Sequence, residues 1–193
     1  MKPHLSAPSI VQLLSQYYPA GLWCDDPEYK TSVEAQRLTA LLEEARKDSQ
    51  AWDGFVQRIH EELPGCVLWD TTLLWIDPCY RLRVCLPSTA RGGEQRDAII
   101  CMVSLLAPTY VIYASHYLDT GASTESWTRY PPLPPEFQPY DARLAPIIES
   151  AFGASRLLND VLFTPVPNLA PRTGNVALGK ACLIDLLFTP DRW

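Results

Sequence analysis

The sequence predicts an α+β fold in which N-terminal helices pack on an antiparallel meander sheet, and three observations predict it. Apolar residues recur at helical spacing through the first third of the chain. Near Cys66 the period changes to the alternation of a strand, and two long apolar segments then flank the short connection Ala107-Pro108-Thr109. With 47% hydrophobic and 20% charged residues among 193, the chain can bury a substantial core as one domain. The divisions expected within 1–193 are helical 1–65, sheet 66–118, a proline-rich loop 119–139, and a helical and extended segment 140–193.

Ile10, Leu13, Leu14 and Tyr17 form one stripe of a short helix that begins near Pro8 and stops at Pro19. Thr31-Ser32-Val33-Glu34 has the T-x-x-E form of a capping box, so a second helix follows with Leu38, Leu41, Leu42 and Ala45 along one side. A third repeats the spacing with Trp52, Phe55, Val56, Ile59 and Leu63, and Pro64-Gly65 ends it. Beyond Cys66, Val67-Leu68-Trp69 and Leu73-Leu74-Trp75-Ile76 flank a turn or bulge at Asp70-Thr71-Thr72. Tyr80, Leu82, Val84 and Leu86 alternate with mixed residues as a half-buried strand. Ala98 to Leu106 is apolar on both faces, as a central strand requires, and Tyr110 to Leu118 reads as the strand returning beside it.

Asp119 to Pro139 has no periodicity. Pro131 to Pro135 predicts stiff polyproline II. Leu144, Ile147, Ile148 and Ala151 predict a helix stopped by Gly153, with Pro146 tolerable only in its first turn. A last short helix is expected within Ala181 to Phe188.

Twenty-two acidic residues against sixteen basic give a formal net charge of −6, which argues against a nucleic-acid backbone or an anionic membrane as partner. Met1-Lys2-Pro3-His4 lacks the apolar core of a signal peptide, and the longest apolar run, Ala98 to Ala107, is interrupted by Ser104 and too short to span a bilayer. These features predict a cytoplasmic protein whose six cysteines are reduced thiols.

The chain has only three histidines, His4, His60 and His116, and none stands at ligand or catalytic spacing from another histidine, a cysteine or a carboxylate pair. After His60-Glu61-Glu62, Pro64 occupies the place where a metalloprotease helix needs its second histidine. Neither a metal site nor a cofactor is expected. Ser115 and His116 are adjacent in a strand and point to opposite faces. Cys85 could meet His116 only if their strands are neighbours.

Binding residues are easier to find. Trp127, Arg129 and Tyr130 are the types most enriched at interface hot spots, and a rigid proline segment follows them. They either anchor a protein partner or fold back to cover the sheet. Asp25, Asp26 and Glu28 form a weaker acidic patch that also suits the approach to a helix N-terminus.

Val161-Leu162-Phe163, Val166-Pro167-Asn168, the run Leu178 to Phe188 and the closing Trp193 resemble the ends of small bacterial immunity proteins encoded beside polymorphic toxins. Tyr29 to Leu38 is similar as well. The resemblance implies a non-enzymatic inhibitor that binds one cognate toxin domain. Two alternatives stay open: a secretion adaptor or chaperone for an effector, and a small hydrolase using Cys85 or Ser104 with His116.

Overall fold

Two strands of eleven residues each, β3 (Glu94–Ser104) and β4 (Thr109–Asp119), set the architecture. The structure is a computed structural model that describes residues 5–87, 94–173 and 175–191. Every residue from Ala98 to Ser104 and from Thr109 to Ser115 is buried, so both faces of this pair need a cover. On one face, Ala98, Ile100, Met102, Val111 and Tyr113 pack beneath α1 (Ala7–Leu14), α3 (Val33–Lys47), α6 (Asn159–Leu162) and α7 (Leu183–Leu187). On the other, Ile99, Cys101, Val103, Ile112 and Ala114 pack beneath α4 (Gln50–Glu62) and α5 (Gln138–Phe152). The fold is α+β, with helices on both sides of the sheet.

The sheet is an antiparallel meander in the order β1 (Val67–Asp70), β2 (Cys79–Cys85), β3, β4, β5 (Thr124–Arg129). A two-residue strand, β6 (Ser155–Arg156), runs parallel to the start of β4. The outer edge of β4 is therefore shared, with β6 beside Thr109 and Tyr110 and β5 beside Ala114 to Asp119.

Several sequence expectations are corrected. The sheet does not end at residue 118, because β5 lies inside the stretch expected to be loop. The chain bends at Pro131 and Pro132 instead of running on as polyproline II, and the peptide between them is cis. Leu73–Ile76 is a turn, with the Ile76 and Asp77 amides donating to the Leu73 carbonyl. The first helix stops at Leu14, and turns carry the chain to Tyr18, whose buried hydroxyl donates to the Leu186 carbonyl at 2.6 Å. The cap of α3 is Ser32, whose Oγ accepts from the Ala35 amide, because Thr31 is used to finish the short α2 (Pro27–Thr31). Pro146 sits well inside α5 and removes a helical donor. The cost of about 3 kcal/mol is offset by burying Leu144, Ile147 and Ile148 around it. Gly153, at φ 63°, ends that helix as expected.

None of the six cysteines is in a disulfide, and no helix among the described residues is long and apolar enough to cross a membrane. Burial pushes the Cys101 thiol up to about 12 and raises that of Cys79 as well. Alkylation of the native protein should therefore reach the partly exposed Cys85 and Cys182 first, and Cys79 and Cys101 only after denaturation. Intact mass without reductant should then show six adducts, and any shortfall restored by reduction would reveal a disulfide.

Asp77 is buried beside Arg81, with one carboxylate oxygen lacking a hydrogen-bond partner among the described residues. Burial raises its pKa from 3.8 to about 6, against the opposing effects of the Thr189 hydrogen bond and Arg81. The folded state thus holds this proton more tightly than the unfolded chain. The stabilising contribution is full below the unfolded value and is lost as pH rises through the folded one. Asp77→Asn should raise Tm near neutral pH by roughly 2–8 °C, for about 1–2 kcal/mol, with the gain fading as pH falls from about 6 and absent below 3.8. Thermal melts across that range check both the sign and the window.

Candidate functional site

At one end of the central pair the strands outrun their helical cover and their residues turn polar. Counting outward from the 105–108 connection pairs Asp97 on β3 with His116 on β4, and His116 pairs in turn with Trp127 on β5. Residues directly opposite in register share a face, so these three side chains lie together on the side covered by α5.

His116 Nδ1 and Asp97 Oδ1 are 2.5 Å apart, with both side chains mostly buried. The carboxylate holds the ring by accepting from Nδ1–H, which leaves Nε2 as the ring nitrogen turned to other partners. Gln95 Nε2 donates to the other oxygen of Asp97. The indole of Trp127 stacks on the imidazole with centroids 5.1 Å apart and planes 18° apart, and its edge meets Phe137 at 5.8 Å. The Arg129 guanidinium lies 4.9 Å from the same indole. Glu136, Phe137 and Tyr140, at the entrance to α5, complete a cleft of ≈ 340 Å³ with Leu86, Gln95, Asp97, His116 and Trp127.

Among its described lining the cleft has a carboxylate in use at Asp97, a second at Glu136, a phenol and an imidazole, but no serine, threonine or cysteine. That set suits recognition of a group rich in N–H donors, such as a lysine or arginine side chain, more than nucleophilic catalysis. Cys85 and Ser104 do not reach it. Cys85 lies across from Ala98 and Ser104 is in step with it along β3, so both face away from His116, and β3 separates Cys85 from β4. No group of three His, Cys, Asp or Glu side chains able to hold a metal occurs among the described residues.

The binding residues read from the sequence are divided between surfaces. Trp127 lines the cleft, and Arg129 lies over its indole on the same side of β5. Tyr130 faces the other side of the sheet, where its ring lies 5.1 Å from Tyr113 and 5.0 Å, edge-on, from Phe163. Asp25, Asp26 and Glu28 do not line the cleft. Asp26 accepts from the Trp23 amide and Asp25 from the Trp23 indole, so those two carboxylates shape their own loop, and Glu28 sits in the first turn of α2. Gln95, Asp97, Glu136 and Tyr140 were not apparent as site residues in the sequence. The register set by the 105–108 connection was the one available signal for Asp97. No protein-family model, curated protein or solved structure matches this chain.

Replacing Asp97 with Ala removes the acceptor of both His116 and Gln95. The loss should be about 1.5–3 kcal/mol in urea unfolding, the worth of a hydrogen bond to a charged group. A change within experimental error would show that the pair does not hold the cleft together.

Proposed function

We propose that this chain is a non-catalytic protein-binding inhibitor, acting as an immunity protein that neutralises a cognate toxin domain by direct contact. The observation that carries the reading is β5, a terminal strand with one strand neighbour among the described residues, which holds Trp127 and Arg129 stacked beside an acceptor-lined cleft. A free strand edge offers backbone donors and acceptors to a partner. A tryptophan and an arginine already fixed by mutual stacking lose little entropy on binding and are the types that dominate interface energy. The cleft's carboxylates and imidazole complement a basic side chain, and the net charge of −6 would speed encounter with a basic domain. Tyr130 supports β5 from the opposite face in this reading, and the acidic loop at Asp25, Asp26 and Glu28 contributes long-range steering.

Co-expression with the product of the adjacent gene, followed by calorimetry, tests the proposal. A toxic neighbour should be neutralised and bound. Trp127→Ala and Arg129→Ala should each weaken binding by about 2 kcal/mol or more, roughly thirtyfold. Charge removal at Asp25 and Asp26 should cost less and matter less as salt rises. Binding without inhibition would favour the adaptor reading. Unchanged affinity in two folded variants, Trp127→Ala and Arg129→Ala, would place the interface elsewhere.

A further inference from the structure

The opposite face of the sheet carries a second constellation, which meets the first cleft at Leu86, Gln95 and Asp97. Trp69 pairs with Arg83 and Val67 with Cys85, while Arg96 is in step with Ala98, the partner of Cys85. All five side chains therefore lie on the side away from α4 and α5. The helices on that side cover the middle of the sheet and stop short of β1, leaving Val67 59% and Trp69 50% exposed. These five line a cleft of ≈ 300 Å³ together with Leu86, Gln95 and Asp97, whose carboxylate is already engaged by His116 and Gln95.

Arg83 is the unusual member. Arg81 is paired with Asp77 and Arg96 with Glu94, but Arg83 has no carboxylate partner among the described residues. Its one side-chain hydrogen bond among them crosses β3, from Nη2 to Ser115 Oγ at 3.3 Å. Its Nε is sealed from solvent without an acceptor, and so is the hydroxyl of Tyr113, which stands in the same cross-strand row. A charged donor withdrawn from water and left unbonded is costly, more so than a neutral one. Guanidinium geometry matches a planar or tetrahedral oxyanion. An exposed indole and valine beside it ask for an apolar neighbour.

We propose that this face binds an organic anion, with a carboxylate or phosphate head on Arg83 and an apolar body lying against Trp69 and Val67. The cleft volume matches the lower end of small-ligand sites, room for a head and a ring. The same chemistry is offered by a free small acid and by an acidic residue next to an aromatic one in a polypeptide.

The test uses the full chain and follows the Arg83 Nε–H resonance, assigned by its loss in Arg83→Gln, during titration with four probes. Phenylacetate should shift it saturably with Kd of about 1 mM or tighter, and inorganic phosphate about tenfold more weakly for want of an apolar body. Neutral phenylacetamide should not saturate. An acetylated Phe-Glu dipeptide amide separates the sources: tighter binding than phenylacetate points to a polypeptide, weaker binding to a free acid. Trp69→Ala, at an exposed position that leaves the core untouched, should bring phenylacetate down to the affinity of phosphate. Calorimetry should find no phenylacetate binding to Arg83→Gln. The proposal is overturned if no anion gives a saturable shift, or if folded Arg83→Gln binds phenylacetate as well as the parent. Trp127 lines the first cleft and not this one, so Trp127→Ala should leave phenylacetate binding intact, and failure here is separable from failure of the toxin-binding reading.

Discussion

The two-sided burial of the β3–β4 hairpin is the constraint on which the rest of the molecule depends. Eleven extended residues span about 37 Å, whereas a fifteen-residue helix such as α3 or α5 spans about 22 Å. Helices long enough to cover the apolar halves of these strands cannot also cover their polar ends. Glu94 to Asp97 and His116 to Asp119 project past the cover, and the cleft forms where they do. The same requirement draws distant parts of the chain together. One face is roofed jointly by α1 and α3 from the beginning and α6 and α7 from the end, with the Tyr18 hydroxyl bonded to the Leu186 carbonyl between them.

Fixed charges then hold the wall of the cleft in place. Arg156 on β6 makes two hydrogen bonds to Asp141, at 2.9 and 2.6 Å, and lies over the Tyr110 ring. Tyr110 donates in turn to Glu149 at 2.8 Å. Asp141 and Glu149 both belong to α5, so this helix is tied to the start of β4 near each of its ends. A two-pronged guanidinium–carboxylate contact, partly screened from water, fixes orientation as well as distance. Glu136, Phe137 and Tyr140 inherit that fixed position, which is what a preorganised binding surface needs.

Much of the fold was legible because its signals are periodic. Ile10 and Leu14, Leu38 and Leu42, and Trp52, Phe55 and Ile59 are buried where their helical spacing put them. The unbroken apolar run from Ala98 identified a central strand. What escaped was decided by context. Thr124 to Arg129 has a polar exterior and only its Trp127 and Thr128 side chains partly covered, so no alternation marked it as a strand. Pro146 entered a helix against its own preference because three apolar neighbours needed that geometry. At the site, residue types pointed to Trp127 and Arg129, but the joining of Asp97 to His116 is a matter of register. Parity also separates Cys85 and Ser104 from His116, although all three occupy strands of one sheet.

Alternation explains why Trp127, Arg129 and Tyr130 cannot act as one patch. Two residues apart, Trp127 and Arg129 share a face and stack, while Tyr130 turns to the other side and wedges between Tyr113 and Phe163. Its position matters because β4's outer edge is covered by two separate pieces of chain, β5 arriving antiparallel and β6 leaving parallel, with no strand between them opposite Val111 to Tyr113. The Asn159 side chain, donating to the Pro131 carbonyl at 2.5 Å, closes that gap from the β6 side. Tyr130 and Pro131 thus pin the end of β5 at a point where the sheet itself supplies no neighbour. Trp127 and Arg129 hold their places beside His116 because the next residues in the chain are anchored on the opposite face.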